Sequence, residues 1–107
     1  MRPKSRTHPE AAAELQEAAR WYDDEQAGVG DDFLSAAEAA VRGFLDWPQA
    51  GAPFPGWKDE PMVRSRHMKV FPYRVLYYIE GDRVTFLAFA HEKRKPGYWA
   101  PRYTDQF

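Results

Sequence analysis

The segment from His91 to Trp99 holds the side chains of this chain that are best suited to chemistry. Its sequence, HEKRKPGYW, places an imidazole, three cations and two aromatic rings close together. Arginine and lysine bind anions, and an aromatic ring can stack on a base. Because the segment directly follows a run of strand-forming residues, we expect it to leave the end of a central strand and to form the working end of the protein.

The charges of the chain are divided unevenly along its length. Residues 1–60 contain 6 Lys/Arg against 12 Asp/Glu, whereas residues 61–107 contain 9 against 4. Such a division indicates either a basic face that meets an anionic partner or acidic helices that flank a basic sheet edge. The sequence leaves both interpretations open.

The composition argues against several classes of site. There is no cysteine and there are 3 histidines, with no H-E-x-x-H motif, so we predict neither a metal site nor a cofactor. No stretch approaches the ~20 apolar residues of a membrane span, and the N-terminal residues lack the apolar core of a signal peptide. We therefore expect a cytoplasmic protein without a membrane partner, with one domain over residues 1–107.

The elements that position the cationic segment begin with a predicted helix. It runs from Pro9 towards Gly28, with Thr7 or His8 as its N-cap. Three acidic residues at 23–25 oppose the dipole at its C-terminal end, so we expect fraying there. Its apolar stripe consists of Ala11, Leu15, Ala18, Ala19 and Tyr22.

A second predicted helix runs from about Asp31 to Trp47. Asp31 or Asp32 can cap it, and Pro48 ends it. The short connection at residues 28–30 makes the two helices an antiparallel hairpin. Its apolar stripe consists of Phe33, Leu34, Ala37, Val41, Phe44 and Leu45.

The second half of the chain predicts strands. Residues 73–80 alternate with period two, Gly81-Asp82 suits a two-residue hairpin turn, and residues 84–90 form a nearly continuous apolar run. Residues 62–70 alternate in a basic strand, and residues 2–8 can add an edge strand.

Residues 48–61 contain four prolines and two glycines, and we predict a loop there that Phe54 and Trp57 hold to the body. The order of elements is therefore β-α-α-β-β-β, with the first strand optional. This order predicts an α+β fold in which an N-terminal antiparallel helical hairpin packs on a small, mainly antiparallel β-sheet.

Three pieces of the sequence, in this order, resemble the RelE/ParE superfamily of type II toxin–antitoxin toxins. They are HPEAAAELQEAARWYDDEQAGVGDDFLSAAEAAV, DWPQAGAP and FPYRVLYYIEGDRVTFLAFAHEKRKPGYW, which together span roughly residues 8–99. The resemblance implies a RelE/ParE-like fold and a compact toxin that arrests growth until a cognate antitoxin wraps around it. We also expect that DNA is contacted only through the antitoxin.

The superfamily has two branches with different targets. RelE-like members cut mRNA in the ribosomal A site without a metal ion, whereas ParE-like members inhibit DNA gyrase and are not known as nucleases. The His-x-x-Arg-x-Pro-x-Tyr-Trp ending is similar to the ParE-like, "plasmid stabilisation" proteins, so we expect gyrase as the target. The alternatives are a metal-independent, ribosome-dependent mRNA endoribonuclease and an inactive member that only binds its antitoxin.

Two arginines correspond to the RelE-like site. Arg74 matches an arginine on the third strand of the RelE-like sheet, and Arg94 matches a second arginine just beyond the last strand. Guanidinium groups suit this role because they stay charged and stabilise charge at a scissile phosphate. The alternative for Arg74 is a structural ion pair with Glu80 or a helix carboxylate. RelE-like nucleases carry two lysines on the preceding strand. This chain has Ser65 and His67 near those positions and therefore departs from the RelE-like pattern.

Three further residues are candidate catalytic groups only if the chain is RelE-like. His67 and His91 can transfer a proton, and Tyr98 lies near the position of a tyrosine that stacks on substrate. Each also has a structural interpretation. His67 can be a surface side chain, His91 can tie the strand end to a backbone carbonyl, and Tyr98 can pack the tail onto the sheet.

Overall fold

Five β-strands form one mixed sheet with two helices packed on one face, in a computed structural model that describes residues 3–107. In chain order the elements are β1 (Lys4–Thr7), α1 (Pro9–Glu25), α2 (Val29–Asp46), β2 (Ala52–Pro53), β3 (Val63–His67), β4 (Tyr73–Glu80) and β5 (Arg83–His91). The strand order is β1-β5-β4-β3-β2, with β1 parallel to β5 and the other pairs antiparallel. The predicted α+β fold is confirmed, and so is an edge strand near the N-terminus. Residue 2, where that predicted strand began, lies outside the described residues.

Both faces of the sheet are covered, which explains the nearly continuous apolar run of β5. On β4, Val75 and Tyr77 pack against the helices, whereas Leu76 and Tyr78 face the C-terminal segment. Trp99 is the largest buried side chain on that second face. Alternate residues of β4 point to opposite faces of the sheet, as predicted. Because both faces are covered, each set of large side chains is buried in a core of its own and neither set faces solvent.

A β-bulge in β5 changes which side chains reach the helices. Leu87 has no partner in the register between β4 and β5. Phe86 and Phe89 consequently both pack on the helix face, although three-residue spacing would place them on opposite faces of a regular strand.

Helix capping follows the prediction for α1 only. His8 caps α1, because its Nδ1 accepts the N–H of Glu10 at 3.0 Å, and Pro9 occupies the first helical position. Asp31 and Asp32 do not cap α2 and lie in its first turn instead, where they favour the helix dipole. Within residues 3–107, neither helix is long and apolar enough to cross a membrane.

The connection between the helices supports the C-terminal end of α1, where the three acidic residues oppose the helix dipole. α1 continues to Glu25, and the carboxylate of Asp23 accepts the N–H groups of Gly28 and Gly30 at 3.2 and 2.8 Å. Gly28 has a φ of 92°, which is available to glycine at low cost, so α2 can begin at Val29, two residues earlier than predicted.

β3 is shorter than the predicted strand of residues 62–70 and ends at His67. Val70 has a φ of 74°, and the N–H of Phe71 donates to the carbonyl of Lys69 at 2.8 Å. This is a γ-turn with positive φ at its centre, a rare and strained conformation for a β-branched residue.

The predicted loop at residues 48–61 is more ordered than expected. It contains a 3₁₀ turn at Pro48–Ala50 and the two-residue strand β2 at the sheet edge. The rings of Phe54 and Trp57 lie 4.9 and 5.6 Å from that of Trp99, so the predicted anchoring of the loop is confirmed.

Candidate functional site

Four of the five predicted site residues line one small cleft at the end of β4 and β5. Arg74, His91, Arg94 and Tyr98 surround a cavity of about 100 Å³. The antiparallel hairpin brings the start of β4 beside the end of β5, so the two arginines lie on the same side of the molecule. His67 does not line the cavity but contacts Arg74.

Arg74 is held by neutral groups instead of an acid. Its Nη1 donates to Ser65 Oγ at 2.8 Å, and its Nη2 lies 2.7 Å from His67 Nε2. No carboxylate of residues 3–107 forms an ion pair with Arg74, so the pairing with Glu80 that the sequence left open is not formed. The charge of this guanidinium is therefore available to an anion that enters the cleft.

The contacts of His67 determine which of its nitrogens carries the proton. Because an arginine N–H can only donate, Nε2 of His67 must supply the lone pair to Arg74. Nδ1 lies 3.1 Å from Glu92 Oε1 and donates to that carboxylate. Both nitrogens of the neutral ring are thus engaged, and Nε2 can take up a proton only after its bond to Arg74 breaks.

Arg94 is positioned by an aromatic ring. Its guanidinium lies 3.8 Å from the centroid of the Tyr98 ring, a cation–π contact that orients the side chain without neutralising it. Across the described part of the chain, no acid forms an ion pair with Arg94. The cleft therefore contains two guanidinium groups without an ion pair, and one acid, Glu92, which lines the same cavity and contacts His67.

The hydroxyl of Tyr98 is bound to a carboxylate that the sequence analysis missed. Tyr98 donates to Glu14, and Arg102 donates to the two oxygens of Glu14 at 2.8 and 3.2 Å. Glu14 also accepts the N–H of Phe89 at 3.1 Å. The side chains of Arg102 and Glu14 are only 11% and 13% exposed, so this is a largely buried ion pair.

One signal in the sequence could have identified Glu14. It lies three residues after Ala11 and four before Ala18, which places it on the buried stripe of α1. A carboxylate on such a stripe needs a buried partner. Nothing in the sequence indicated that the partner would be Arg102, which lies 88 positions away.

His91 forms a strand-end contact of a different kind from the predicted one. Its Nδ1 accepts the N–H of Lys93 at 3.0 Å instead of binding a carbonyl, and its ring packs edge-on against Tyr73 at 5.2 Å. The neutral ring therefore carries its proton on Nε2.

A family model matches most of the chain. This model, described as "ParE toxin of type II toxin-antitoxin system, parDE", covers residues 6–96. The chain belongs to the ParE toxin family. As a member of this family it is the toxin component of a type II toxin–antitoxin system, and the resemblance that the sequence indicated is confirmed.

A solved structure shares the fold of this ParE family member. "Chromosomal ParDE TA system from P. aeruginosa" aligns with a TM-score of 0.70 and 17% sequence identity, over 83% of this chain and 95% of that chain. At this level of identity the similarity shows the fold alone. No curated protein sequence matches the chain significantly.

The environment of Tyr98 makes this residue poorly suited to proton transfer. Burial raises the pKa of Tyr98 above its ordinary value, and the hydrogen bond to Glu14 and its charge raise it further. The opposing effects of Arg102 and Arg94 are smaller. The hydroxyl therefore stays protonated and bound to Glu14 at physiological pH.

Folded protein at pH 11 is expected to keep Tyr98 protonated, whereas the unfolded chain releases this proton near its ordinary pKa of 10.0. Stabilisation from protonated Tyr98 is therefore complete below pH 10 and declines as the pH rises towards the folded pKa. Absorbance at about 295 nm, where tyrosinate absorbs, should be equal for folded wild type and Tyr98→Phe at pH 11. In denaturant the wild type should gain one more tyrosinate, and a difference already present in the folded proteins would contradict the expectation.

A cluster near the start of α1 has ligand types suited to a metal, but its hydrogen bonds oppose metal binding. Potential ligand atoms of His8, Glu10 and Asp105 lie within 4.8 Å of one another. His8 Nδ1 accepts the N–H of Glu10, so the neutral ring carries its proton on Nε2 and donates it to Asp105 at 2.8 Å. A metal on Nε2 would leave the ring without a proton, whereas a ligating histidine ordinarily keeps one on its other nitrogen. His8 thus links the start of α1 to the C-terminal segment through its hydrogen bond to Asp105.

Proposed function

We propose that this chain is a ParE-like toxin that inhibits DNA gyrase in the cytoplasm and that a cognate antitoxin neutralises it. Membership of the ParE toxin family supports the toxin function, and the ParDE system of P. aeruginosa, which shares the fold, supports an antitoxin as the partner. The target is inferred from the chemistry of the cleft and from the ParE-like His-x-x-Arg-x-Pro-x-Tyr-Trp motif that follows β5.

The observation that carries this choice is that all three predicted proton-transfer side chains are engaged in hydrogen bonds, as is the carboxylate of Glu92 that lines the cleft. His67 Nε2 accepts from Arg74, and His91 Nδ1 accepts from Lys93. Tyr98 is protonated and bound to Glu14. A nuclease that activates a hydroxyl needs a general base within reach, whereas an inhibitor that acts by binding does not.

The positive charge around the cleft, a cationic rim, supports inhibition by binding over cleavage of RNA. Arg74 and Arg94 lie at the cleft without an ion pair, the exposed Lys93 and Lys95 flank Arg94, and the one acid that lines the cleft, Glu92, contacts His67. Positive charge concentrated at one edge accelerates encounter with an acidic or nucleic-acid-bound partner and fixes its orientation. We infer that this rim contacts gyrase and not the DNA bound to it, because we expect the antitoxin to make the contacts with DNA.

One observation favours a second candidate, a ribosome-dependent mRNA endoribonuclease. Arg74 and Arg94 line the same cavity, as two guanidinium groups on one phosphate would require. In this version Arg74 and Arg94 bind the scissile phosphate, while His67, His91 or Tyr98 assists proton transfer. The hydrogen bonds described above would have to rearrange first.

Expression of the chain alone is expected to arrest growth, and the purified protein is expected to block gyrase supercoiling while leaving ribosome-bound mRNA intact. Arg94→Ala should weaken gyrase inhibition roughly tenfold or more, because arginine is a typical interface hot-spot residue. The matched control is Arg83→Ala, another exposed arginine at the opposite end of β5, which should retain full potency.

Two other outcomes would select the alternatives. Cleavage of A-site mRNA that is lost in both Arg74→Ala and Arg94→Ala would replace gyrase by the ribosome as the target. Normal growth during expression, together with binding of the product of an adjacent reading frame, would indicate an inactive member that only binds its antitoxin.

A further inference from the structure

Two adjoining cavities lie between the second half of α1 and the strand ends at the start of β4 and the end of β5. The first has a volume of about 230 Å³ and the second about 460 Å³. Trp21, Tyr73 and His91 line both of them. Because the two cavities share these three walls, they form one depression. Small-molecule sites are typically concave surfaces of this size, with aromatic walls and a few polar groups.

Trp21 contributes to this depression an aromatic ring that the fold leaves largely uncovered. Its side chain is 59% exposed. The indole is in edge-on contact with Tyr22 at 5.1 Å, and no other aromatic ring of residues 3–107 contacts it. A planar base can stack on such a ring, and stacking of this kind contributes strongly to the binding of unpaired bases.

An acid lies one turn before Trp21 on α1. Glu17 lines the first cavity, and its spacing of four residues places it on the same face of the helix as Trp21. Glu17 is exposed and forms no ion pair within residues 3–107. Glu14, the other acid of this cavity, is already bound to Arg102 and Tyr98. The carboxylate of Glu17 is therefore the acceptor that a ligand in the first cavity would meet.

A carboxylate beside a stacked base favours guanine. Among the ordinary bases, guanine alone has two adjacent donors, N1–H and the N2 amino group, on its Watson–Crick edge. A carboxylate can accept from both donors at once, and bonds to an ionised acceptor are stronger than neutral ones. Unpaired bases are commonly recognised by hydrogen bonds to this edge together with stacking.

The depression also supplies donors for an anion. Lys93 lines the second cavity and forms no ion pair with an acid of the described chain. His91 carries its proton on Nε2, and this N–H has no hydrogen-bond partner among residues 3–107. Arg94 lines the first cavity and adds a second cation. An ammonium, a guanidinium and a ring N–H are together suited to a phosphate group.

We propose that this depression binds a free guanine nucleotide, with the base stacked on Trp21 and bonded to Glu17 and with the phosphate at Lys93 and His91. The three kinds of group match the three parts of such a ligand, which are a planar ring, a donor edge and an anion. An acidic peptide would be repelled by Glu17 and has no purine ring for Trp21. The proposal does not rest on the proposed function, because it invokes neither gyrase nor an antitoxin.

Calorimetric titration of the purified protein with GMP tests the proposal, and AMP is the matched ligand. AMP should bind about tenfold more weakly or worse, because its Watson–Crick edge has one donor for Glu17. Trp21→Ala should weaken GMP binding by about tenfold or more, because stacking is lost. The control Trp47→Ala removes an indole that is 75% exposed at the end of α2 and should keep the wild-type Kd. Both variants should unfold at the wild-type temperature, because exposed side chains contribute little to stability.

Two further variants assign the parts of the ligand to their partners. Glu17→Gln should bind GMP and AMP with similar affinity, because the amide no longer favours a pair of donors. Lys93→Ala should weaken the binding of GMP but not that of guanosine, which lacks the phosphate. Equal losses for both ligands would contradict the placement of the phosphate.

Several outcomes would overturn the proposal. One is the absence of saturable GMP binding, and another is equal affinity of wild type and Trp21→Ala for GMP. Equal affinity of the wild type for GMP and AMP would overturn the assignment of guanine. Binding of the RNA trinucleotide ApGpA about tenfold tighter than GMP would make an RNA strand, and not the free nucleotide, the ligand. Growth arrest and gyrase inhibition are measured separately, so failure of the proposed function would leave these results unaffected.

Discussion

Replacement of Glu14 by alanine is expected to lower the free energy of unfolding by about 3–5 kcal/mol. The substitution removes the close ion-pair partner of Arg102, whose side chain is only 11% exposed, and leaves it with only the more distant Glu10, 3.7 Å from its Nε. The hydroxyl of Tyr98 and the N–H of Phe89 lose their acceptor at the same time. Breaking a largely buried ion pair costs much more than the pair itself contributes, because the remaining contacts of the guanidinium only partly replace the lost carboxylate, so the effect should be large.

Urea denaturation followed by circular dichroism measures this change. Glu17→Ala is the matched control, because Glu17 is an exposed acid one turn further along α1, and its removal should change stability by less than about 0.5 kcal/mol. Glu14→Gln should fall between the two, since the amide keeps an acceptor but loses the charge. A cost below about 1 kcal/mol for Glu14→Ala would mean that the buried pair does not form in solution.

The second large effect is expected at Gly30, where alanine should destabilise the protein by about 1–3 kcal/mol. A Cβ atom at this position would collide with the carbonyl oxygen of Ala19 and would lie 2.6 Å from Cγ of Asp23. Both groups belong to α1, so the two helices must separate or the Asp23 bridge to Gly30 must break.

Gly43→Ala is the control for this prediction, because it is the same substitution in the same helix. No atom lies within 4 Å of the added methyl group, so alanine should stabilise α2 by about 0.5–1 kcal/mol through its higher helix propensity. Thermal unfolding should therefore shift in opposite directions for the two variants. Shifts of the same sign would show that helix propensity, and not the close contact of the helices, decides both.

Features that depend on neighbouring residues could be predicted from the sequence. The β4–β5 hairpin is an example, because its turn requires only a glycine that accepts positive φ. Gly81 has a φ of 61°, and Glu80 pairs with Arg83 as the two-residue turn demands. Both helices and their approximate ends were likewise determined by local periodicity and by Pro9 and Pro48.

Features that depend on distant residues could not be predicted. The bulge at Leu87 follows from the need to place two phenylalanines on one face, which a period of two does not indicate. The early end of β3 depends on a γ-turn at Val70, a residue type that favours strands.

The candidate site shows the same division. The resemblance to the RelE/ParE superfamily identified Arg74 and Arg94 as candidates, and the β4–β5 hairpin explains why they lie close together. It did not reveal that His67 and Tyr98 are already engaged, because their partners lie on other elements, Arg74 on the neighbouring strand and Glu14 on α1. Hydrogen bonds between side chains of different elements leave no periodic signal in a sequence.

The parallel pairing of the first and last strands has a consequence for synthesis. β1 lies at the edge of the sheet, where its neighbour is β5, and residues 4–7 align with residues 83–86. Since translation proceeds from the N-terminus, β1 must wait without a partner until β5 has left the ribosome. The sheet is therefore completed only after β5 has been synthesised, so this toxin cannot reach its folded form before that point in translation.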